Sequence, residues 1–259
     1  DGKITCPESI AINYVNIHYG IGGDGIVLIE NSDVADAKMR IFNKDGTEGR
    51  VGGNAIRCVG KYLYEKGIVP RREMKIETAN GINEVTVYSF NGKVNSASVN
   101  LGKAELAGEN IPCIWKEDKI VNKPATIGGK EYKVTLVNLG NPHCVVFSEK
   151  VDAVDVETVG PLFENCEYFP ERINAEFIRV VNRVTIKMRV WERGNGETWS
   201  CGTGAAAAVV AAVLNGYCDR DTNITVKLRG GDLVVNYHSD GEVELMGSVK
   251  TVYEGRLEI

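Results

Sequence analysis

The sequence contains no long hydrophobic run and no excess of positive charge. Its longest apolar stretch, residues 205–214, has about half of the roughly 20 residues that a membrane-spanning helix needs. The 30 Lys and Arg residues are outnumbered by 35 Asp and Glu residues, and the formal net charge is −5. Nucleic acids and anionic membranes both favour a basic face. We therefore expect a cytoplasmic protein that binds neither nucleic acid nor membrane.

Metal-ligating residues are few and scattered. The chain has only three His residues, and its seven Cys residues form no Cys-x-x-Cys pair and no zinc-like spacing. The glycine-rich segment 20–25 precedes a predicted strand rather than a helix, so it does not fit a phosphate-binding loop. The sequence thus predicts no metal site, and reduced thiols that are mostly buried.

Strand-like runs rich in Val, Ile, Thr and Tyr fill most of the chain, and two long helices are predicted at residues 54–65 and 203–214. Each helix follows a glycine-containing turn and stops at a glycine, Gly67 or Gly216. The two regions match without a gap, so that Lys38–Phe42 aligns with Lys187–Trp191, Glu48 with Glu197, and Gly53 with Gly202.

This internal repeat predicts an α/β (α+β) fold of two similar lobes, residues 1–120 and 121–259, with the C-terminal strand able to return to the first lobe. A site between such lobes would use the loop and the helix start of each.

Cys201 stands immediately before the second helix. The first turn of a helix presents unpaired N–H groups and the positive end of the dipole, so a thiol there ionises more easily. The same N–H groups, with Gly202 allowing close approach, can hold a carboxylate. A base beside a carboxylate clamp suits proton abstraction next to a carboxylate. The alternative interpretation is a small buried residue in a turn.

The other candidates are weaker individually. The position equivalent to Cys201 in the first copy is Gly52, which keeps the turn but lacks the thiol. A tight turn presents Asn141 and His143, although a lone His is more often structural. Asn43 and Asn174 lie at predicted strand ends, where they could equally cap turns.

The segments 39–46, 53–58, 140–143, 192–198 and 201–204 together resemble the diaminopimelate epimerases, over nearly the whole chain and in order. The resemblance implies two pseudo-symmetric lobes, each a β-barrel-like sheet around a central helix, with the active site in the cleft. It implies a homodimer with a small-molecule amino-acid substrate, and epimerisation of L,L- to meso-diaminopimelate for lysine and peptidoglycan synthesis, without pyridoxal phosphate, metal or other cofactor.

The resemblance also implies residue roles. Two thiols would flank the substrate α-carbon, one as thiolate base and the other as acid, and Cys201 would be one of them. Glu192 and His143 would set the protonation of the thiols. The α-carboxylate would bind at the two helix starts, and the distal end of the substrate at amide and guanidinium groups. These binding residues are Gly53, Asn54, Gly202 and Thr203 for the carboxylate, and Asn43, Asn141, Asn174 and Arg193 for the distal end.

The chain departs from the family pattern in two places. Gly52 occupies the position of the second catalytic cysteine, and glycine can neither give nor take a proton. Cys58 lies too far along the helix to replace it, so we expect it to be structural. The chain also begins at Asp1, after the point where relatives carry a first strand and a substrate-binding asparagine, and we expect that segment to be missing.

These departures leave three interpretations open. The chain is a diaminopimelate epimerase impaired in inversion, a related isomerase such as a histidine racemase or a phenazine-type isomerase, or a non-catalytic amino-acid-binding homologue.

Overall fold

A computed structural model describes residues 4–49 and 52–257 of the chain, which divides into two compact units. The first consists of Asp1–Val99 with Gly247–Ile259, and the second of Asn100–Met246. The division falls about 20 residues before the predicted position of 120. The strand Lys93–Lys103 spans the boundary between Val99 and Asn100. The C-terminal segment belongs to the first unit.

The first unit contains helix α1 and the longer helix α2, with a sheet in the order β1-β2-β4-β5-β6 and β3 paired to β2. The elements are α1 Pro7–Tyr14, β1 Gly25–Glu30, β2 Ala37–Asn43, β3 Glu48–Gly49, α2 Gly53–Glu65, β4 Glu73–Thr78, β5 Gly81–Phe90 and β6 Lys93–Lys103. Strand β4 lies parallel to β2, and α2 makes the connection between them. The other pairs in this sheet are antiparallel.

The second unit has a sheet in the order β15-β14-β13-β11-β10-β9-β8-β7, with β12 paired to β11. Its elements are β7 Lys123–Ile127, β8 Lys130–Asn138, β9 Pro142–Phe147, α3 Val156–Glu164, β10 Asn174–Asn182, β11 Thr185–Glu192, β12 Gly196–Thr198, α4 Gly202–Leu214, β13 Ile224–Leu228, β14 Gly231–Tyr237 and β15 Glu242–Ser248.

Helix α4 is the centre of the second unit. Its sequence is apolar on every side, as expected of a helix without a solvent-facing surface. The residues from Gly202 to Ala212 are all buried, and strands of the surrounding sheet contact the helix. Helix α2 is amphipathic instead, with Ile56, Val59 and Leu63 buried against β2 and β5 while Tyr62 is exposed. The mixed α and β fold class with two lobes is therefore confirmed.

The structure reproduces the sequence repeat element by element. Helices α2 and α4 both have 13 residues and begin at equivalent positions. Strand β13 lies parallel to β11, as β4 does to β2. Even an ion pair is repeated, since Arg40 binds Glu48 through two hydrogen bonds and Arg189 binds Glu197 in the same way. Helices α1 and α3, which the sequence analysis did not predict, also begin at equivalent positions.

The expectation that most of the seven thiols are buried is confirmed. Cys113, Cys144, Cys201 and Cys218 are buried, but Cys6 is exposed. Cys58, which we expected to be a structural residue, is exposed as well, because it lies on the outer side of α2.

Candidate active site

The start of α4 holds the Cys201 side chain in a fixed position. Cys201 is the N-cap residue, with an extended backbone, and its carbonyl accepts the first helical hydrogen bond from Ala205 N at 3.0 Å. Its Sγ accepts a hydrogen bond from Gly204 N at 3.3 Å and lies 3.7 Å from Thr203 Oγ1. The sulfur therefore takes the place that a Ser or Asp oxygen usually takes in a helix cap. Helix geometry directs the Gly202 and Thr203 N–H groups out of the same helix start.

The protonation of Cys201 differs from the sequence-based expectation. Burial raises the pKa of the Cys201 thiol well above its usual value, and the carboxylates of Glu192 and Glu176 act in the same direction. The Gly204 N–H and the Thr203 hydroxyl lower the pKa, but by less. The expectation of an easily ionised thiol was therefore wrong for the folded chain on its own, because desolvation outweighs the favourable helix start.

Glu192 and Arg193 lie where β11 turns toward β12. The Thr198 hydroxyl donates a hydrogen bond to the Glu192 carboxylate. The Arg193 backbone N–H donates to Asn174 Oδ1 at 2.9 Å, and its guanidinium donates to the Glu171 carbonyl at 2.9 Å. This turn is thus tied to the first residue of β10.

Asn174 is buried and joins three parts of the second unit. Besides accepting from Arg193, its Nδ2 donates to the Pro142 carbonyl at 2.8 Å. Both polar atoms of the amide therefore have protein partners, and the side chain holds the beginnings of β9 and β10 together. Its predicted role in binding substrate stays a prediction.

His143 forms a buried chain of hydrogen bonds. Its Nδ1 lies 2.7 Å from Glu176 Oε1, and its Nε2 lies 3.0 Å from Asn141 Oδ1. The side chains of His143 and Glu176 are both fully buried. Sequence reasoning missed Glu176, although a carboxylate between Ala175 and Phe177, in an otherwise apolar strand, is the signal that could have shown it.

The start of α2 gathers Gly52, Gly53 and Asn54 in the first unit. Gly52 is the N-cap residue, and its carbonyl accepts from Ile56 N at 2.9 Å. The buried Arg57 folds back onto this turn and donates to the Gly53 carbonyl and to Asn54 Oδ1, both at 2.8 Å. Its Nε has no hydrogen-bond partner among the described residues.

Asn43 ends β2 in the same unit. Its Nδ2 donates to Thr47 Oγ1 at 3.0 Å, in the turn that leads to β3. The capping interpretation thus accounts for one of its two donor hydrogens, and its role toward substrate remains a prediction.

The predicted residues therefore form two sets, one in each unit. The second unit contains Cys201, Gly202, Thr203, Glu192, Arg193, Asn141, His143 and Asn174, while the first contains Asn43, Gly52, Gly53 and Asn54. Within residues 4–49 and 52–257, no three His, Cys, Asp or Glu side chains are arranged to hold a metal ion. No helix in that part of the chain is both long and apolar enough to cross a membrane.

Solved structures share the fold of this chain. A probable proline racemase from Agrobacterium radiobacter K84 superposes with a TM-score of 0.69 at 16% identity, covering 93% of this chain and 78% of that one. A methylitaconate-delta-isomerase has a TM-score of 0.57 at 14% identity, covering 94% of this chain and 86% of that one. At such low identity the likeness establishes the fold alone, which is the two-lobed fold of these racemases and isomerases.

The sequence comparison identifies the family. The family model described as "Diaminopimelate epimerase" matches residues 2–107 and 135–252. The diaminopimelate epimerase of Acetivibrio thermocellus is 45% identical over 254 residues, covering 98% of this chain and 90% of the relative. That of Methanococcus maripaludis strain C5 is 44% identical over 258 residues, covering 99% and 92%. The chain belongs to the diaminopimelate epimerase family, a family of isomerases.

Proposed function

We propose that this chain binds diaminopimelate and exchanges the α-proton of one of its diastereomers through a single thiol, that of Cys201. The observation that carries the proposal is the position of this thiol. Its sulfur lies at the first turn of a buried helix, hydrogen-bonded to Gly204 N, while Gly52 stands at the equivalent turn of the first unit. The site thus retains one of the two proton carriers that its family uses.

The two helix starts support binding of a carboxylate. The N–H groups of Gly202 and Thr203 present hydrogen-bond donors at the positive end of the α4 dipole. The start of α2 offers the same groups and adds Arg57, a buried cation whose hydrogen bonds go to the neutral acceptors Gly53 O and Asn54 Oδ1. A buried charge without an opposite charge is costly, so such a site favours an anionic ligand.

The ammonium group of an amino acid would make Cys201 a better base. In the folded chain the Glu192 and Glu176 carboxylates raise the pKa of this thiol, in addition to burial. A bound ammonium group offsets those negative charges and favours the thiolate. The thiolate then takes the α-proton, and the N–H groups at the helix starts stabilise the charge that develops on the carboxylate.

Gly52 determines the fate of the carbanion. Glycine has no side chain that could deliver a proton to the face of the carbanion opposite Cys201. The proton therefore returns from Cys201 to the face of the α-carbon that it left. In deuterated water the thiol exchanges its hydrogen with solvent, and deuterium enters the α-position. Configuration is retained in most turnovers, and inversion is strongly impaired.

The distal end of diaminopimelate is a second amino-acid group. We assign its recognition to Asn43, Asn141, Asn174 and Arg193. Each amide has two donor hydrogens and two acceptor lone pairs, so an amide that makes one or two protein contacts retains capacity for a ligand. The two protein contacts of Asn174 also fix the orientation of its amide, and therefore the direction of the hydrogen-bonding groups that remain for a ligand.

Deuterium uptake measured by mass spectrometry tests the proposal. Diaminopimelate is incubated in deuterated water with the chain or with the Cys201→Ser variant, and binding to each is measured by calorimetry. We expect uptake with the unchanged chain, none with the variant, and binding to both. Binding without uptake would support the non-catalytic interpretation, whereas uptake into histidine or proline instead would support a related racemase.

A further inference from the structure

Glu176 is the third residue of β10 and lies on the side that faces α4. The neighbouring Ala175 and Phe177 point to the opposite side, into the hydrophobic core. Side chains alternate along a strand, so Glu176 shares its face with Asn174. His143 and Val145 lie beside these two residues on the parallel strand β9.

The carboxylate of Glu176 has one strong contact and one free oxygen. Oε1 lies 2.7 Å from His143 Nδ1, whereas Oε2 has no hydrogen-bond partner among the described residues. Burial raises the pKa of the Glu176 carboxyl, and His143 opposes this shift. A buried carboxylate with an unpaired oxygen lowers stability, and an apolar side chain would fit a core strand better. Packing therefore does not account for a carboxylate at this position.

His143 is held at both ring nitrogens. Its Nε2 faces Asn141 Oδ1 at 3.0 Å while its Nδ1 faces Glu176. An ionised Glu176 can only accept, so Nδ1 carries a hydrogen in this arrangement. The carboxylate thus fixes the orientation of the ring and keeps a hydrogen on Nδ1.

The same carboxylate lies close to Cys201. A Cβ atom added to Gly204 would lie 2.8 Å from Glu176 Oε1 and 3.1 Å from Cys201 Sγ. The oxygen and the sulfur therefore face the same side of Gly204, and a residue without a side chain is what allows this approach. The titratable groups that act on Cys201 are Glu192 and Glu176, and those that act on Glu176 are His143 and Glu192. The Glu176 carboxylate also acts on the buried thiol of Cys144, on the neighbouring strand β9.

We propose that Glu176 is a positioning residue of the active site, which holds the ring of His143 through Nδ1 and governs the ionisation of Cys201 through its charge. Glu176 contacts His143 and lies near Cys201, so a single carboxylate orients the ring and acts on the charge of the thiol. The proposal uses the proposed function only in treating Cys201 as the reacting thiol.

Titration of Cys201 in a Glu176→Gln variant tests this. Protein labelled with ¹³Cβ-cysteine is titrated by NMR, and Cys201→Ser assigns the signal. Glutamine keeps the size and an acceptor oxygen but removes the charge. We expect the titration midpoint of Cys201 to fall by about one pH unit or more, as expected for a charge a few ångströms away.

Glu164→Gln is the matched control. Glu164 is a buried carboxylate of the same unit, but its partners are Arg172, Trp191 and Gly194. This variant should lose thermal stability and leave the Cys201 midpoint unchanged. Equal midpoints in the unchanged chain and in Glu176→Gln would overturn the proposal. An equal fall in both variants would also overturn it, because it would show a general loosening of the fold.

A second measurement does not depend on any variant of Glu176. The chain has three histidines, and ¹⁵N NMR with His143→Gln for assignment reports which ring nitrogen of His143 is protonated. We expect a hydrogen on Nδ1 throughout the neutral range, and an unprotonated Nδ1 would overturn the proposal. Neither experiment uses a ligand, so both remain informative if the chain fails to exchange α-protons.

Discussion

Replacing Gly52 with cysteine should restore inversion. The backbone at this position is extended, with φ −136° and ψ 94°, a conformation that any residue can adopt. A Cβ atom would lie 2.9 Å from Ile41 Cδ1 and 3.0 Å from Ala55 Cβ. The first contact is with the end of a flexible side chain, which can move. We expect a stability cost of about 1 kcal/mol, or a fall in Tm of about 2–4 °C.

The gain in activity should be much larger than this cost. A positioned general acid contributes about 10²–10⁴-fold to a proton transfer, so Gly52→Cys should invert diaminopimelate faster than the unchanged chain by a factor in that range. The rate of interconversion of the L,L and meso forms, followed by NMR, measures it. Gly52→Ser is the matched control, because it makes the same steric contacts without a thiol. A folded Gly52→Cys variant that binds ligand but gains nothing over Gly52→Ser would refute the reasoning.

Three further predictions concern stability. Glu197→Gln should lower the free energy of unfolding in urea by about 2–4 kcal/mol, because the Glu197 side chain is 6% exposed and pairs with the Arg189 guanidinium, which is 10% exposed. Glu48→Gln, in the exposed equivalent pair, should lower it by less than about 1 kcal/mol. Gly204→Ala should lower Tm by several degrees and displace the Cys201 sulfur. The added Cβ would lie 2.8 Å from the buried Glu176 Oε1 and 3.1 Å from Cys201 Sγ. The pKa of Cys201 is raised in the folded chain, so the folded chain holds the thiol proton more tightly than the unfolded chain does. The free energy of unfolding should therefore fall as the pH rises from the ordinary thiol pKa, about 8.5, toward the folded-state pKa. Tm above that pH should therefore fall more steeply in the unchanged chain than in Cys201→Ser, and parallel curves would contradict this.

The sequence predicted the parts of the fold that carry strong local signals. Helices α2 and α4 were placed to within one residue, because glycines mark both of their ends and the intervening residues form helices well. The repeat was visible because loop and cap residues such as Glu48 and Glu197 are preserved along with the apolar pattern, and the structure gives these two residues the same guanidinium contact.

The short helices were missed for identifiable reasons. Helix α3 has nine residues with Pro161 inside it, and α1 has eight residues that begin at Pro7. Proline is unfavourable within a helix, so propensity disfavours α3. In α1 the proline stands at the first position, where it is tolerated, but eight residues are too few for a strong local signal. Both helices depend on packing in the folded unit, which local sequence does not report.

Buried charges were the other feature that sequence reasoning missed. Glu176 and Arg57 are polar residues within a strand and a helix, where the ordinary expectation is exposure to solvent. Their burial depends on contacts with His143 and with the turn of Gly53. The raised pKa of Cys201 follows from the same burial, and a helix start read from sequence carries no information about desolvation.

The stereochemical course of exchange in the unchanged chain is the most direct test of the single-thiol mechanism. L,L- and meso-diaminopimelate are incubated separately in deuterated water, and NMR follows the α-hydrogen while chromatography follows the diastereomer. We predict that one of the two loses α-hydrogen with its configuration retained, because Cys201 is the only proton carrier of the pair. Inversion that keeps pace with deuterium entry would contradict this mechanism, since a second proton donor would then be acting in place of Gly52.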